Sequence, residues 1–144
     1  MSLLEKRKEY LANAFVLVPK LHNLHWNVVG QEFVQLHNFT EGLYDEFFEK
    51  YDAIAEALKM EGIFPPVKLS EYAELASVKE LESKKFSTME VLEEVKKDLE
   101  LMKDLATEIR SLADEAGHFL LVADMEGDIA GYTKHIWFLQ SILG

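Results

Sequence analysis

The sequence predicts an all-α fold, a four-helix bundle with a short extra helix in one long connection. Apolar residues recur at helical spacing in four long stretches of the 144-residue chain. No stretch alternates for more than a few residues in the way a half-buried strand does. The breaks between the four stretches are few and fall at glycine, at a proline pair or in a short polar segment. Four long amphipathic helices bury their apolar stripes by packing against one another, which favours a bundle.

The first two helices are expected over residues 3–29 and 34–60, separated by Gly30. Their core stripes comprise Leu11, Phe15, Val18, Leu21 and Val28 in the first helix, and Leu36, Phe39, Leu43, Phe47, Ile54 and Leu58 in the second. The short link makes this pair an antiparallel hairpin. Pro19 lies inside the first helix, where it removes a backbone donor and crowds the carbonyl of Phe15. A kink is therefore expected there.

The last two long helices are expected over residues 88–115 and 119–143, separated by Gly117, and form a second hairpin. Ser87 or Thr88 caps the third long helix, with Glu90 completing a capping box. The connection between the two hairpins is about 26 residues long, enough to cross the length of a bundle. It contains "GIFPP" at 62–66 and a short extra helix at 69–77.

Composition narrows the possible functions of what we expect to be a single domain over residues 1–144. The chain has no cysteine, which excludes disulfides, thiol catalysis and cysteine-based metal sites. It lacks both a signal-peptide pattern and an apolar run of the ~18–20 residues that a membrane span needs, so we expect a cytoplasmic protein. The formal net charge of −11 disfavours non-specific binding to nucleic acid and is compatible with attracting cations.

A second stripe of side chains lies beside the core stripe of the second helix. At about 100° per residue, histidine and carboxylate side chains follow one another along it. They are His37, Glu41, Asp52 and Glu56. Tyr44 and Phe48 lie on or next to this stripe. Because a fully solvated face rarely carries such aromatics, a second buried contact is expected here.

One chain cannot bring both ends of this stripe to a single metal ion. Glu41 and Asp52 are separated by about 16 Å along the helix axis at ~1.5 Å per residue, whereas metal–ligand distances are ~2.0–2.6 Å. If the helix packs antiparallel against its copy across a two-fold axis, the numbers of any two residues that lie opposite one another add up to the same constant. His37 would then face Glu56 of the partner subunit, and Glu41 would face Asp52 of the partner subunit. Each dimer would hold two identical sites.

His25 can add an imidazole to the His37–Glu41 end if the first hairpin is tight. Two imidazoles with three carboxylates suit iron, manganese or zinc better than calcium or magnesium, which prefer all-oxygen ligands. Spacing alone also fits a bundle whose acids only solvate its surface, because a His–x3–Glu pair on a helix is usually a surface pair. His22 could equally face its own helix or support a ligand.

The stretches "HNLHWNVVG" and "LHNFTEGLYDEFFEKYDAIAE" resemble the Dps family, the miniferritins of ferritin-like fold. The spacing His25–x11–His37–x3–Glu41–x10–Asp52–x3–Glu56 is similar to the ferroxidase signature of that family. The resemblance extends to "LSEY" in the long connection and to "KHIWFLQSIL" at 134–143. It implies a shell of twelve subunits that oxidises Fe(II), preferably with hydrogen peroxide, and stores ferric iron, which protects against oxidative stress. It also implies a dinuclear-type site shared between two-fold-related subunits.

The family often has Asp at the position of Glu41, so the longer side chain here could change the metal spacing. Trp26 matches a family tryptophan beside the site, where it would intercept oxidising equivalents; a packed aromatic at the dimer contact is the alternative. Candidates for an iron-entry pore near the start of the last helix are Asp124, Glu126 and Asp128, with a solvated helix face as the alternative. The Glu115–x2–His118 pair is interpreted as a helix junction because it contains Gly117.

Family members that condense DNA carry mobile Lys/Arg-rich tails, and this chain shows only Lys6, Arg7 and Lys8 clustered near its start. Tight DNA binding is therefore not expected. A DNA-compacting nucleoid protein and a non-catalytic helical bundle that binds other proteins remain the alternatives to an iron-oxidising cage.

Overall fold

The structure, a computed structural model, describes all 144 residues. Its helices are α1 (Leu3–Asn27), α2 (Phe33–Met60), α3 (Leu69–Leu75), α4 (Thr88–Glu115) and α5 (Phe119–Leu143). This arrangement confirms the predicted all-α architecture of four long helices and one short helix in the connection. The first helix ends two residues earlier than expected, at Asn27 instead of 29, and the short helix ends at Leu75 instead of 77. None of the helices combines the length and the apolar character that crossing a bilayer requires.

The residues after α1 form a short strand instead of the expected last helical turn. Strand β1 (Val28–Val29) pairs in parallel with β2 (Phe86–Ser87), just before α4. Val28 is fully buried in this position. Gly30 follows with φ +127°, a conformation that glycine adopts without steric cost. The ladder fixes the end of α1 to the start of α4, which no local sequence pattern predicted.

Caps and junctions agree with the sequence signals. The Ser87 hydroxyl accepts from the Glu90 backbone N–H, and the Glu90 carboxylate accepts from the Ser87 N–H, so Ser87 is the cap of α4. At the α4–α5 junction, His118 Nδ1 accepts from the N–H of Leu121 and caps α5. This confirms that the Glu115–His118 pair marks a helix junction.

The long helices pack as two hairpins, α1 against α2 and α4 against α5, and α1 also contacts α3 and α4. The predicted core stripes of the first two helices face inward. Fully buried members are Leu11, Leu21, Val28, Leu36, Leu43, Phe47 and Leu58. Four others, Phe15, Val18, Phe39 and Ile54, are partly buried and pack against the core. Helix α1 continues without a break through exposed Pro19, and the kink expected there stays a prediction.

A buried ion cluster joins α1 to α4 next to Pro19. Lys20 is only 4% exposed, and its Nζ lies 2.7 Å from Asp98 Oδ2 and 2.8 Å from Glu94 Oε1. Burial raises the pKa of Asp98, although the adjacent Lys20 ammonium opposes that shift. Because Lys20 and Asp98 are both out of water, each depends on the other for compensation of its charge.

Candidate metal centre

Three of the predicted ligands converge where α1 and α2 form their hairpin. His25 lies in the last turn of α1, and His37 and Glu41 lie one turn apart near the start of α2. One ligand atom from each of the three residues lies within 4.8 Å of the others. His25 is buried, His37 is half-buried and Glu41 is exposed. Two imidazoles and a carboxylate therefore meet at one edge of the bundle, with one side open.

Reciprocal hydrogen bonds fix the two imidazoles. His25 Nδ1–H donates to the carbonyl oxygen of His37 at 2.6 Å, and His37 Nδ1–H donates to the carbonyl oxygen of His25 at 2.9 Å. A carbonyl oxygen can only accept, so in each neutral ring the proton lies on Nδ1 and the lone pair lies on Nε2. The rings stack with centres 3.5 Å apart. Backbone carbonyls holding Nδ1–H are the usual support of metal-binding histidines.

Aromatic rings surround this pair. His22 stacks on Tyr44 with ring centres 3.7 Å apart, and its Nδ1–H donates to the carbonyl oxygen of Val18. Tyr44 meets His25 edge-on, and the Trp26 ring centre lies 5.3 Å from that of His22. Partial burial raises the pKa of the Tyr44 hydroxyl, and the charges of Glu41 and Asp45 add to the shift. Tyr44 therefore stays protonated and neutral at physiological pH.

The structure does not bring Asp52 and Glu56 to this cluster. Both are exposed and lie further along α2, which is one continuous helix from Phe33 to Met60. A regular helix keeps Asp52 about 16 Å from Glu41 along the axis. Within one chain, the ligand set therefore consists of His25, His37 and Glu41 alone.

Large apolar side chains that lie close in sequence to the candidate ligands are exposed. Trp26 is 67% exposed, Val34 62% and Phe48 60%. Phe48 lies between Glu41 and Asp52 in sequence, and Trp26 follows His25 directly. Two exposed aromatic side chains therefore lie close in sequence to the candidate ligands.

The acids considered for an iron-entry pore have different environments. Asp128 accepts hydrogen bonds from the Tyr10 hydroxyl and from Lys50 Nζ, each at 2.7 Å. Glu126 pairs with Arg110 across the α4–α5 hairpin. Asp124 is exposed and lines a cavity of about 460 Å³ between α2 and α5. Two of the three acids therefore make ion pairs within their own chain.

Sequence reasoning missed Thr40, whose side chain lies against the imidazoles. Its hydroxyl oxygen lies 3.2 Å from His25 Nδ1. The signal was present in the sequence, because Thr40 follows Leu36 by one helical turn and so falls on the core stripe of α2. A polar side chain on a core stripe requires a hydrogen-bond partner, and that requirement could have directed attention to it.

Comparisons with known proteins agree with the helical fold of the chain. The family model of the ferritin-like domain matches residues 7–144. The chain is 33% identical to the DNA protection during starvation protein of Helicobacter pylori, over 99% of each chain. Dps from Listeria monocytogenes superposes with a TM-score of 0.95 at 32% identity, covering 100% of this chain and 94% of that one. A Dps protein from Vibrio cholerae, described as a member of the ferritin-like diiron-carboxylate superfamily, gives a TM-score of 0.93 at 26% identity, covering 99% and 89%.

Proposed function

Because the chain belongs to the Dps family of ferritin-like proteins, we propose that it is a cytoplasmic ferroxidase that stores iron. It oxidises Fe(II), preferably with hydrogen peroxide, and keeps the ferric product inside a shell of twelve copies, protecting against oxidative stress. The observation that carries the proposal is the cluster of His25, His37 and Glu41, whose ligand atoms lie within 4.8 Å of one another. Two imidazole nitrogens and a carboxylate suit iron.

A two-fold related copy completes the site. With α2 antiparallel to its copy, Asp52 of the partner subunit would face Glu41 and Glu56 of the partner subunit would face His37. The exposed Trp26 and Phe48 support this pairing, since they lie on the surface that the second copy would cover. Each dimer would then hold two sites, each with two histidines and three carboxylates for a dinuclear-type centre.

The reaction balances simply. Two Fe(II) ions each lose one electron, and one hydrogen peroxide molecule takes both electrons and two protons to give two water molecules. Because both electrons are transferred together, hydroxyl radical is not released. Carboxylates favour the ferric product, and imidazoles hold the ferrous ion while leaving coordination positions open.

The chain's own residues prepare this step. The backbone carbonyl oxygen of each histidine accepts a hydrogen bond from Nδ1–H of the other histidine, which leaves Nε2 of both rings free to bind the ferrous ion. Glu41 adds negative charge, which favours cation entry on a chain of net charge −11. Trp26, exposed beside the site, would take up stray oxidising equivalents or pack at the dimer contact.

Addition of Fe(II) and hydrogen peroxide to the purified protein tests the proposal. Ferric absorbance should rise quickly and iron should co-elute with a particle of about twelve subunits. His37→Ala and Asp52→Ala should each abolish the rapid phase, and Glu93→Ala, which removes an exposed acid of α4, should leave it unchanged. A non-catalytic bundle would give the same slow oxidation in all four proteins. A nucleoid protein would shift plasmid DNA and show no dependence on His37.

A further inference from the structure

Thr40 places a hydroxyl group in the core directly beside the imidazole pair. The residue is 0% exposed. Its Oγ1 lies 2.7 Å from the Leu36 carbonyl oxygen, 3.1 Å from the His37 carbonyl oxygen and 3.2 Å from His25 Nδ1. Since His25 and His37 belong to the candidate site, this one side chain contacts two residues of that site.

The single hydroxyl proton settles the direction of these bonds. The shortest contact is to the Leu36 carbonyl, so the hydroxyl donates there. Its lone pairs then remain for His25 Nδ1–H, which is shared between Thr40 Oγ1 and the His37 carbonyl oxygen. Thr40 Oγ1 thus accepts a hydrogen bond from Nδ1–H of His25. The other ring nitrogen, Nε2, is directed away from Thr40.

Two other threonines in the chain show which part of this arrangement is common in helices. Thr107 donates to the Lys103 carbonyl and Thr133 to the Ile129 carbonyl, each from one turn along its helix, and both threonines are exposed. The bond to the preceding turn therefore needs no burial. Thr40 makes the same bond although it is fully buried, and its hydroxyl also faces a histidine nitrogen. An apolar residue at this position would fill the core equally well.

We propose that Thr40 is a positioning residue for His25. Its hydroxyl shares the Nδ1–H of His25 with the His37 carbonyl oxygen and so holds the ring at the angle that presents Nε2 to the metal ion. The part of this inference that concerns metal binding rests on the proposed function. Thr40 itself touches neither the metal nor the oxidant, because its oxygen contacts the opposite nitrogen of the His25 ring.

Two substitutions separate positioning from packing. Thr40→Val keeps the β-branched shape and removes the hydroxyl, and Thr40→Ser keeps the hydroxyl and removes a methyl group. Cobalt(II) serves as the probe, since its visible absorption reports the geometry of bound imidazoles, and His37→Ala identifies the band that belongs to this site. Thr133→Val is the matched control, because it removes an equivalent bond to a helix carbonyl far from His25 in sequence.

Thr40→Val should bind cobalt about three- to tenfold more weakly, the loss expected for one shared hydrogen bond, with a shifted visible band and an unchanged melting temperature. Thr40→Ser should melt lower, yet keep the affinity and the spectrum of the parent protein, and Thr133→Val should bind as the parent does. If Thr40→Val binds cobalt with the parent's affinity and spectrum, or both Thr40 variants lose affinity in step with stability, the positioning role is wrong. Failure of the parent itself to bind cobalt through His37 would instead overturn the proposed function.

Discussion

Replacing Lys20 by methionine tests how the fold compensates a buried charge. Lys20 is 4% exposed and Asp98 3% exposed, and their charged atoms lie 2.7 Å apart. Methionine fills most of the volume of the lysine stem, so little cavity is created. The substitution therefore removes the positive charge that contacts the Asp98 carboxylate, which stays buried. Glu94 is partly exposed and can turn to water.

Breaking a buried pair by removing one partner costs about 3–5 kcal/mol. Burial already raises the pKa of Asp98 while Lys20 opposes that shift, so removing Lys20 raises the pKa further and Asp98 can limit the loss by taking up a proton. The expected loss of unfolding free energy for Lys20→Met is therefore about 3–5 kcal/mol at pH ~7. Lys20→Met combined with Asp98→Leu removes both charges and should recover most of it.

Urea unfolding followed by circular dichroism, at one protein concentration for all variants, measures this loss. The folded-state pKa of Asp98 in Lys20→Met lies above its unfolded value, so the penalty is full above the folded pKa. It vanishes as pH falls below the unfolded value of ~3.9. The difference from the parent should therefore shrink towards pH ~4. A loss below about 1 kcal/mol at neutral pH, or one independent of pH, would contradict the buried-charge interpretation.

Three further outcomes are expected. Hydrogen bonding to Arg7 holds the pKa of Glu61 below its usual range, and a hydrogen bond to His118 lowers this pKa further. The resulting stabilisation of the folded state is present above the unfolded pKa of ~4.3 and is lost as pH falls through the lower pKa of Glu61 in the folded state. The melting temperature of the parent should therefore fall more steeply than that of Glu61→Gln between about pH 5 and pH 3 in thermal scans, and equal slopes would refute this. Gly30→Ala should lose about 1–2 kcal/mol, because Gly30 has φ +127° and an added Cβ would lie 3.2 Å from Thr88 Cγ2. Gly127→Ala, inside α5 with open space around it, should instead raise the free energy of unfolding by about 0.5–1 kcal/mol, measured by urea unfolding. If both glycine substitutions changed the free energy of unfolding in the same direction, the conformational argument would be wrong. At a net charge of −11 per chain, the protein should not retard plasmid DNA in a gel at ~0.15 M salt and pH ~7.5, and a clear shift would be the contrary result.

Most of the fold could be predicted from the sequence, because each long helix carries its own apolar period and its own stop signals. The helix starting after Ser87 and the break at Gly117 follow from such local chemistry. The pairing of Val28 with Phe86 could not be predicted, since it joins residues far apart in the chain. Val28 and Val29, which were expected in the first helix, are the residues of that helix's predicted end that form the pairing.

The candidate site was predictable in part. Helical spacing placed His37 and Glu41 together, and the short hairpin brought His25 to them. The crossed hydrogen bonds between ring nitrogens and carbonyls depend on the angle at which α1 meets α2, which spacing alone does not define. The contribution of Asp52 stays a prediction, because it concerns a second copy of the chain.

Mixing inactive subunits tests most directly whether two chains share each site. His37→Ala and Asp52→Ala chains are unfolded, combined in equal amounts and refolded together, and rapid Fe(II) oxidation by hydrogen peroxide is measured. If His37 acts with Asp52 of the partner subunit, each mixed dimer has one intact site and one site with both defects. Random pairing then restores about a quarter of the parent's rapid oxidation. If every ligand came from one chain, no mixture would contain an intact site, and the mixed protein would be as inactive as its two components.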